Sequence, residues 1–216
     1  MLMRRTALAV LFSAVQVATT VDVAGQTAAR LKDPAALSEQ APATYRARFE
    51  TSQGVFVIEA HRDWAPNAAD RFYNLVKNGF YDNARFFRVL SGFMVQFGLN
   101  GDPEVQRPWS SAGLPDEPAK QSNTRGIVSF ARESSPNSRY TMVFINYKDN
   151  SYLDSEGFPP FGQVIAGMDV VEKLYSGYGR ANVPDQRRIL SEGNAYLAAE
   201  YPKLDFIKRA RVDSTR

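Results

Sequence analysis

From Phe86 to Gly98 the chain reads FFRVLSGFMVQFG, a run dense in Phe, Val, Leu and Met with Ser91-Gly92 near its middle. That pattern predicts two short buried strands on either side of the Ser-Gly pair. One arginine, Arg88, sits inside the run. A guanidinium is costly to bury unless it is paired or kept at a wet, concave rim. Strand alternation places Phe86 and Arg88 on one face, with Phe87 and Val89 on the other. Taken alone, the pattern fits an arginine snorkelling at the edge of a barrel.

The flanking segments extend the same theme. Residues 45–50 alternate as a strand, Ser52-Gln53-Gly54 supplies a turn, and residues 55–60 complete a hairpin. Pro66 lies at a helix start, followed by Ala69, Phe72, Tyr73 and Val76 at helical spacing, with Gly79 as the stop. Residues 100–123 hold Pro103, Pro108, Pro115 and Pro118 and read as a long functional loop. Further strands are predicted at 126–131, 140–146, 161–165 and 206–212, and further helices at 168–175 and 185–200. Many short strands with few helices point to a closed or nearly closed β-barrel with helices at its ends.

Composition removes several chemistries. The chain of 216 residues has no cysteine, so disulfides, thiolate nucleophiles and cysteine-bound metals are excluded. His61 is the single histidine, which rules out His-based triads and His-rich zinc sites. The formal charge of +3 is scattered along the chain and forms no basic face for nucleic acid. Asp102, Glu104, Asp116 and Glu117 do not have the spacing of a calcium loop. Trp64 and Trp109 read as packing or loop-anchoring residues, and His61 as a surface or capping residue. No metal and no cofactor is expected.

Residues 1–25 show a basic head at Arg4-Arg5, an apolar run and small residues before Gln26. This is the layout of a secretory signal peptide. The run is too short for a comfortable transmembrane helix, so no stable membrane insertion is expected once it is cleaved. An exported protein, periplasmic or secreted, follows. Residues 26–44 are Ala-rich with two prolines and read as a flexible tether. A single domain is then expected over 45–212, with 213–216 as a tail.

Five segments, taken together, resemble the cyclophilin family of prolyl isomerases. Phe86, Arg88, Gly92, Phe93, Met94 and Gln96 match its aromatic-x-Arg and Gly-Phe-Met-x-Gln pattern. GIVSFA at 126–131, YTMVFIN at 140–146, YLD at 152–154 and FPPFGQVIAGMDVVEKL at 158–174 are similar to further family segments in the same order. The resemblance implies a mainly β fold: a closed eight-stranded antiparallel barrel capped by two α-helices, here with a C-terminal helical extension. It implies a catalytic role for Arg88, with Gln96 holding the arginine and the substrate backbone. Phe93, Met94, Phe144 and Leu153 would wall the proline pocket. Ala131, Met142, Tyr152 and Phe158 would complete the substrate groove. The partners implied are Pro-containing unfolded or flexible polypeptides, handled by a monomer.

The chemistry suits such residues. Amide resonance sets a rotation barrier of about 18–20 kcal/mol, and X-Pro bonds turn over in tens to hundreds of seconds. No covalent bond has to break. A guanidinium hydrogen bond to the imide nitrogen is stronger in the twisted state, where the lone pair has returned, than in the planar one. Apolar walls exclude water and strengthen it. Five positions depart from the common family pattern. Phe87 stands for histidine, Tyr152 for tryptophan, Arg132 for asparagine and Met142 for glutamine, and Phe158 falls near a common histidine. These departures leave open a catalytically weak module that only holds Pro-containing chains.

Overall fold

The computed structural model describes residues 29–213. The signal peptide read at 1–25 and the tail after 213 lie outside the described residues.

Eight antiparallel strands form one sheet. They are β1 (Thr44–Thr51), β2 (Val55–His61), β3 (Arg88–Leu90), β4 (Met94–Phe97), β5 (Ile127–Phe130), β6 (Val143–Asn146), β7 (Pro160–Ala166) and β8 (Ile207–Val212). Their order is β3-β4-β6-β5-β7-β2-β1-β8. Burial in β1 alternates strictly, so Tyr45, Ala47, Phe49 and Thr51 point inward while the intervening residues face out. Opposite them in β2, Phe56, Ile58 and Ala60 do the same. Phe49 stacks on Phe56 at 4.9 Å, and Phe72, Phe86, Phe97, Phe130 and Phe161 fill the rest of the interior. Side chains fill the space inside the sheet, as in other small curled sheets.

The ladders describe a curled half-barrel, not the fully closed barrel the resemblance implies. β3 and β8 are the two ends of the sheet and share no ladder. They approach only at a short seam just before each strand. There Phe86 N–H donates to Asp205 O (3.0 Å), Ile207 N–H to Ala84 O (2.9 Å), and Arg85 bridges Phe206. This seam also breaks the expected alternation. Phe86 and Val89 both enter the core, whereas Phe87 packs with Leu99, Ile189 and Tyr196. The reason is that β3 begins only at Arg88, so residues 86 and 87 lie outside the ladder that would enforce a two-residue period.

Among residues 44–213, four α-helical segments accompany the sheet, where two caps and an extension were expected. α1 (Pro66–Lys77) turns Phe72, Leu75 and Val76 inward against β2, β7 and β8. Its first N–H groups have no intrahelical acceptor. The Glu117 carboxylate fills that need, accepting from Asn67 N (2.7 Å) and Ala68 N (3.3 Å). Glu117 in turn pairs with the fully buried Arg139 at 2.9 Å. The long loop is thereby pinned to α1, and it contains α2 (Pro103–Gln106) and a 3-10 turn at Arg107–Ser111. α3 (Met168–Glu172) is shorter than the expected 168–175.

α4 (Gln186–Glu200) packs outside the sheet through Ile189, Tyr196 and Leu197, against Phe87 and Leu99. It is broken at Gly193, where φ is +60°. A Cβ there would collide with Gly101 O, so the close backbone approach demands glycine.

Residues 26–44 read as a flexible tether, yet the described part, 29–44, packs on the domain. Leu31, Leu37 and Ala41 are buried, Trp109 Nε1–H donates to Leu31 O (2.7 Å), and Asn74 exchanges hydrogen bonds with Glu39 backbone. This segment, helical at 29–31 and with a 3-10 turn at Pro34–Ala36, hugs α1 because its apolar residues find pockets and its backbone finds side-chain partners. Trp109 is thus an anchor for a loop. His61 neither caps α1 nor stands free: its ring stacks on Trp64 at 4.2 Å.

Candidate functional site

β3 and β4 form a tight hairpin whose register sets Arg88 opposite Gln96 and Leu90 opposite Met94. β4 pairs onward with β6, placing Gln96 opposite Phe144. Arg88, Gln96 and Phe144 therefore form one row across three strands. Arg88 Nη1–H donates to Gln96 Oε1 at 3.2 Å. The Gln96 amide, nearly fully buried, turns its own N–H toward Met142 Sδ at 3.6 Å. A thioether is a weak acceptor, so this last contact holds the amide only loosely. Burial pushes the Arg88 guanidinium below its ordinary value, and the nearby charge of Arg180 adds to the effect.

The row borders a cavity of about 210 Å³. Its walls include Phe93, Met94, Ala131, Phe144, Leu153 and Phe158, with Arg88, Gln96 and Met142 alongside. Phe144 and Phe158 meet edge to face at 5.7 Å. The residues named from sequence thus converge on one groove, with one exception. Tyr152 is more than half exposed and does not line the cavity. Arg132 does border it, but its donors are spent on backbone carbonyls of Glu133, Ser135 and Glu156. It braces two loops together.

Several contributors escaped the sequence reading. Leu153 sits on a 3-10 turn (Ser151–Glu156) secured from below by Asp154. That carboxylate accepts from Ser122 Oγ (2.6 Å), Asn123 N (2.8 Å) and Asn123 Nδ2 (2.8 Å). Asn123 is fully buried and also donates to Phe158 O at 2.9 Å. Its Oδ1 accepts from Ser129 Oγ and from Asn146 Nδ2. One polar chain therefore fixes both Leu153 and Phe158. Burial raises the Asp154 carboxyl, but the hydrogen bonds from Ser122 and Asn123 outweigh it and hold the group below its ordinary value. Glu133, Gln186 and Val183 also reach the groove, the last two from the segment between α3 and β8. The YLD match contained Asp154, whereas Asn123 lay in a loop with no periodic signal.

Residues 46–193 match the family model for cyclophilin type peptidyl-prolyl cis-trans isomerases. The chain belongs to the cyclophilin-type family. This cyclophilin is 36% identical over 160 residues to a peptidyl-prolyl cis-trans isomerase of Acinetobacter baylyi, covering 69% of this chain and 85% of that one. It is 34% identical over 134 residues to peptidyl-prolyl cis-trans isomerase B of Escherichia coli, covering 58% and 81%. In fold it is similar to a cyclophilin type isomerase of Cryptosporidium parvum, with a TM-score of 0.59 at 22% identity over 80% of this chain and 99% of that one. A second crystal structure of that protein, in the presence of the dipeptide Ala-Pro, gives a TM-score of 0.58 at 23% identity over 79% of this chain and 99% of that one. The cyclophilin groove described above falls within the matched residues.

Proposed function

We propose that this cyclophilin accelerates cis/trans rotation about X-Pro bonds in exported polypeptides, with Arg88 acting on the imide nitrogen. The observation that carries the reading is the pairing of Arg88 with a neutral partner. Its guanidinium meets Gln96 at the rim of an apolar pocket, so its charge is oriented without being neutralised. Arg suits the role because it stays charged and presents a rigid fork of donors. A proline ring seated between Phe93, Met94, Phe144 and Leu153 would bring its nitrogen toward that fork. Twisting the imide returns the lone pair, strengthens the hydrogen bond, and so stabilises the transition state selectively. A barrier lowered by about 7 kcal/mol corresponds to roughly five decades in rate. Tyr152, exposed outside the cavity, would meet residues flanking the proline.

The signal-like residues 1–25 support an exported setting. The seam between residues 83–86 and 205–207 supports reading the curled sheet as a barrel closed by local backbone pairing. We further read the protein as a monomer.

The test is an isomerisation assay of the chain beginning at Gln26 on a neutral Ala-Ala-Pro-Phe peptide, expected to show turnover at least a hundredfold above the thermal rate. A second reading is favoured by Met142, whose sulfur offers the groove no strong hydrogen bond. It makes the groove a weakly catalytic holder of Pro-containing chains. Peptide binding without acceleration would support that second reading and refute the first.

A further inference from the structure

Between α3 and α4 the chain returns to the groove and carries Arg180 to its rim. The Arg180 guanidinium carbon lies 5.5 Å from the centre of the Phe93 ring, and Phe93 is a wall of the apolar cavity. Val183, three residues on, packs against the Leu90, Met94 and Phe144 cluster, and Gln186 lines the cavity itself. Arg180 is exposed, and among the described residues no carboxylate pairs with it. The contrast with its neighbour Arg188 is plain, since Arg188 binds Glu192 at 2.8 Å and Glu200 at 2.7 Å.

Arg88, close enough for the two charges to repel, also has no acidic partner. The Phe93 end of the groove therefore holds two uncompensated cations. The other end holds Glu133, which the cavity shares with a neighbouring depression lined by Leu99, Thr141 and Leu190. At that end Glu133 stands beside Arg132, so the excess of positive charge lies toward Phe93, and such an uneven distribution selects among bound chains by charge.

We propose that Arg180 is a specificity-determining residue that favours peptides carrying a carboxylate on a residue flanking the proline. This rests on the isomerase reading above. A guanidinium held over the ring that walls the proline site is placed to meet the neighbouring side chain of the substrate. The ring also orients the guanidinium by cation–π attraction.

The experiment measures kcat/KM on X-Pro-Y peptides with Glu, Ala or Lys at X, and in a second series at Y. At low salt one flank is expected to favour Glu over Lys by about three- to tenfold, the scale of exposed charge pairs. The ratio should shrink at about 0.5 M salt, where the screening length falls to about 4 Å, comparable to the contact distance. It should fall to near one in Arg180→Ala and invert in Arg180→Glu. A ratio near one at both flanks in the unmodified protein overturns the inference, as does a Glu preference that survives Arg180→Ala. If the unmodified protein also fails to turn over the all-Ala peptide, the isomerase reading falls, and this inference with it. Turnover of that peptide without charge preference sinks the inference alone.

Discussion

Arg88 and Gln96 face each other across the β3–β4 hairpin, joined by a 3.2 Å hydrogen bond from the guanidinium to the amide oxygen. The register of a three-residue strand thus sets the direction of the group that would act on the substrate. Gln96 neutralises nothing; it only orients. Its other side rests on Met142 sulfur, so the support behind Arg88 ends in a soft contact.

Replacing Arg88 by alanine is expected to lower kcat/KM at least tenfold, about 1.4 kcal/mol in transition-state terms, while the fold persists. Arg88→Lys should not rescue activity, because an ammonium cannot reproduce the guanidinium fork. Steady-state rates beside circular dichroism of each variant check this. Near-normal rates in a folded alanine variant would remove Arg88 from the mechanism.

Met142 offers van der Waals contact and a weak acceptor where a glutamine would hydrogen-bond a peptide backbone and brace Gln96. One such bond is worth about 0.5–1.5 kcal/mol net. Met142→Gln is therefore expected to raise kcat/KM by about two- to tenfold on a single Pro-containing peptide. A fall in activity would mean that the groove depends on the apolar contact, which favours the peptide-holding reading.

What could be read in advance was what is local. Tyr45, Ala47 and Phe49 announce β1 by a two-residue period, and the structure keeps that period because both neighbours of β1 enforce it. The groove residues were legible through the resemblance of five segments, FFRVLSGFMVQFG among them, to the cyclophilin family. Phe86 and Phe87 were misplaced because alternation holds only inside a ladder, and the seam is not one. The remaining failures share a cause. Glu117 with Arg139, Asn123 with Asp154, and Arg180 with Phe93 each join residues at least 22 positions apart. No periodicity encodes such pairs. They arise when loops are laid against each other and a buried polar group must find a partner. The apolar residues of 29–44 escaped for the same reason, since their pockets belong to α1 and the distant loop.

The C-terminal strand should be indispensable. β8 pairs with β1 along Ala47–Thr51, and Ile207 and Ala210 are fully buried. Just before it, Asp205 accepts from Ser52 Oγ (2.6 Å), Gln53 Nε2 (2.9 Å) and Tyr175 N (2.7 Å), tying three segments together. Deleting residues after Pro202 strips β1 of one of its two partners and exposes a sheet edge. The truncated chain is expected to aggregate or unfold. The milder Asp205→Ala should fold but lose about 2 kcal/mol, the scale of losing charge-assisted hydrogen bonds. Urea denaturation measures the second and solubility the first. A stable, active truncation would show that β8 is dispensable.

Asp154 provides a pH-dependent handle on the groove. Its carboxylate takes three hydrogen bonds from Ser122 and Asn123, and these hold its proton affinity below the ordinary Asp value of 3.8. Because the folded state prefers the ionised form, the unfolded chain takes up the proton first on acidification. The contribution is therefore complete well above pH of about 3.9 and is lost as pH falls through the folded value. Asp154→Asn is expected to cost about 1–2 kcal/mol near neutral pH. The gap to the unmodified protein should narrow steadily below about pH 4, as the unfolded carboxyl takes up its proton, and close only below the folded value. Since Asn123 also holds Phe158, the variant should raise KM more than it lowers kcat, the pocket wall loosening while Arg88 stays in place. Urea titrations from pH 7 to pH 3, with kinetics at pH 7, separate these effects. A stability gap that stays constant across that range would show that the buried polar chain does not depend on the Asp154 charge.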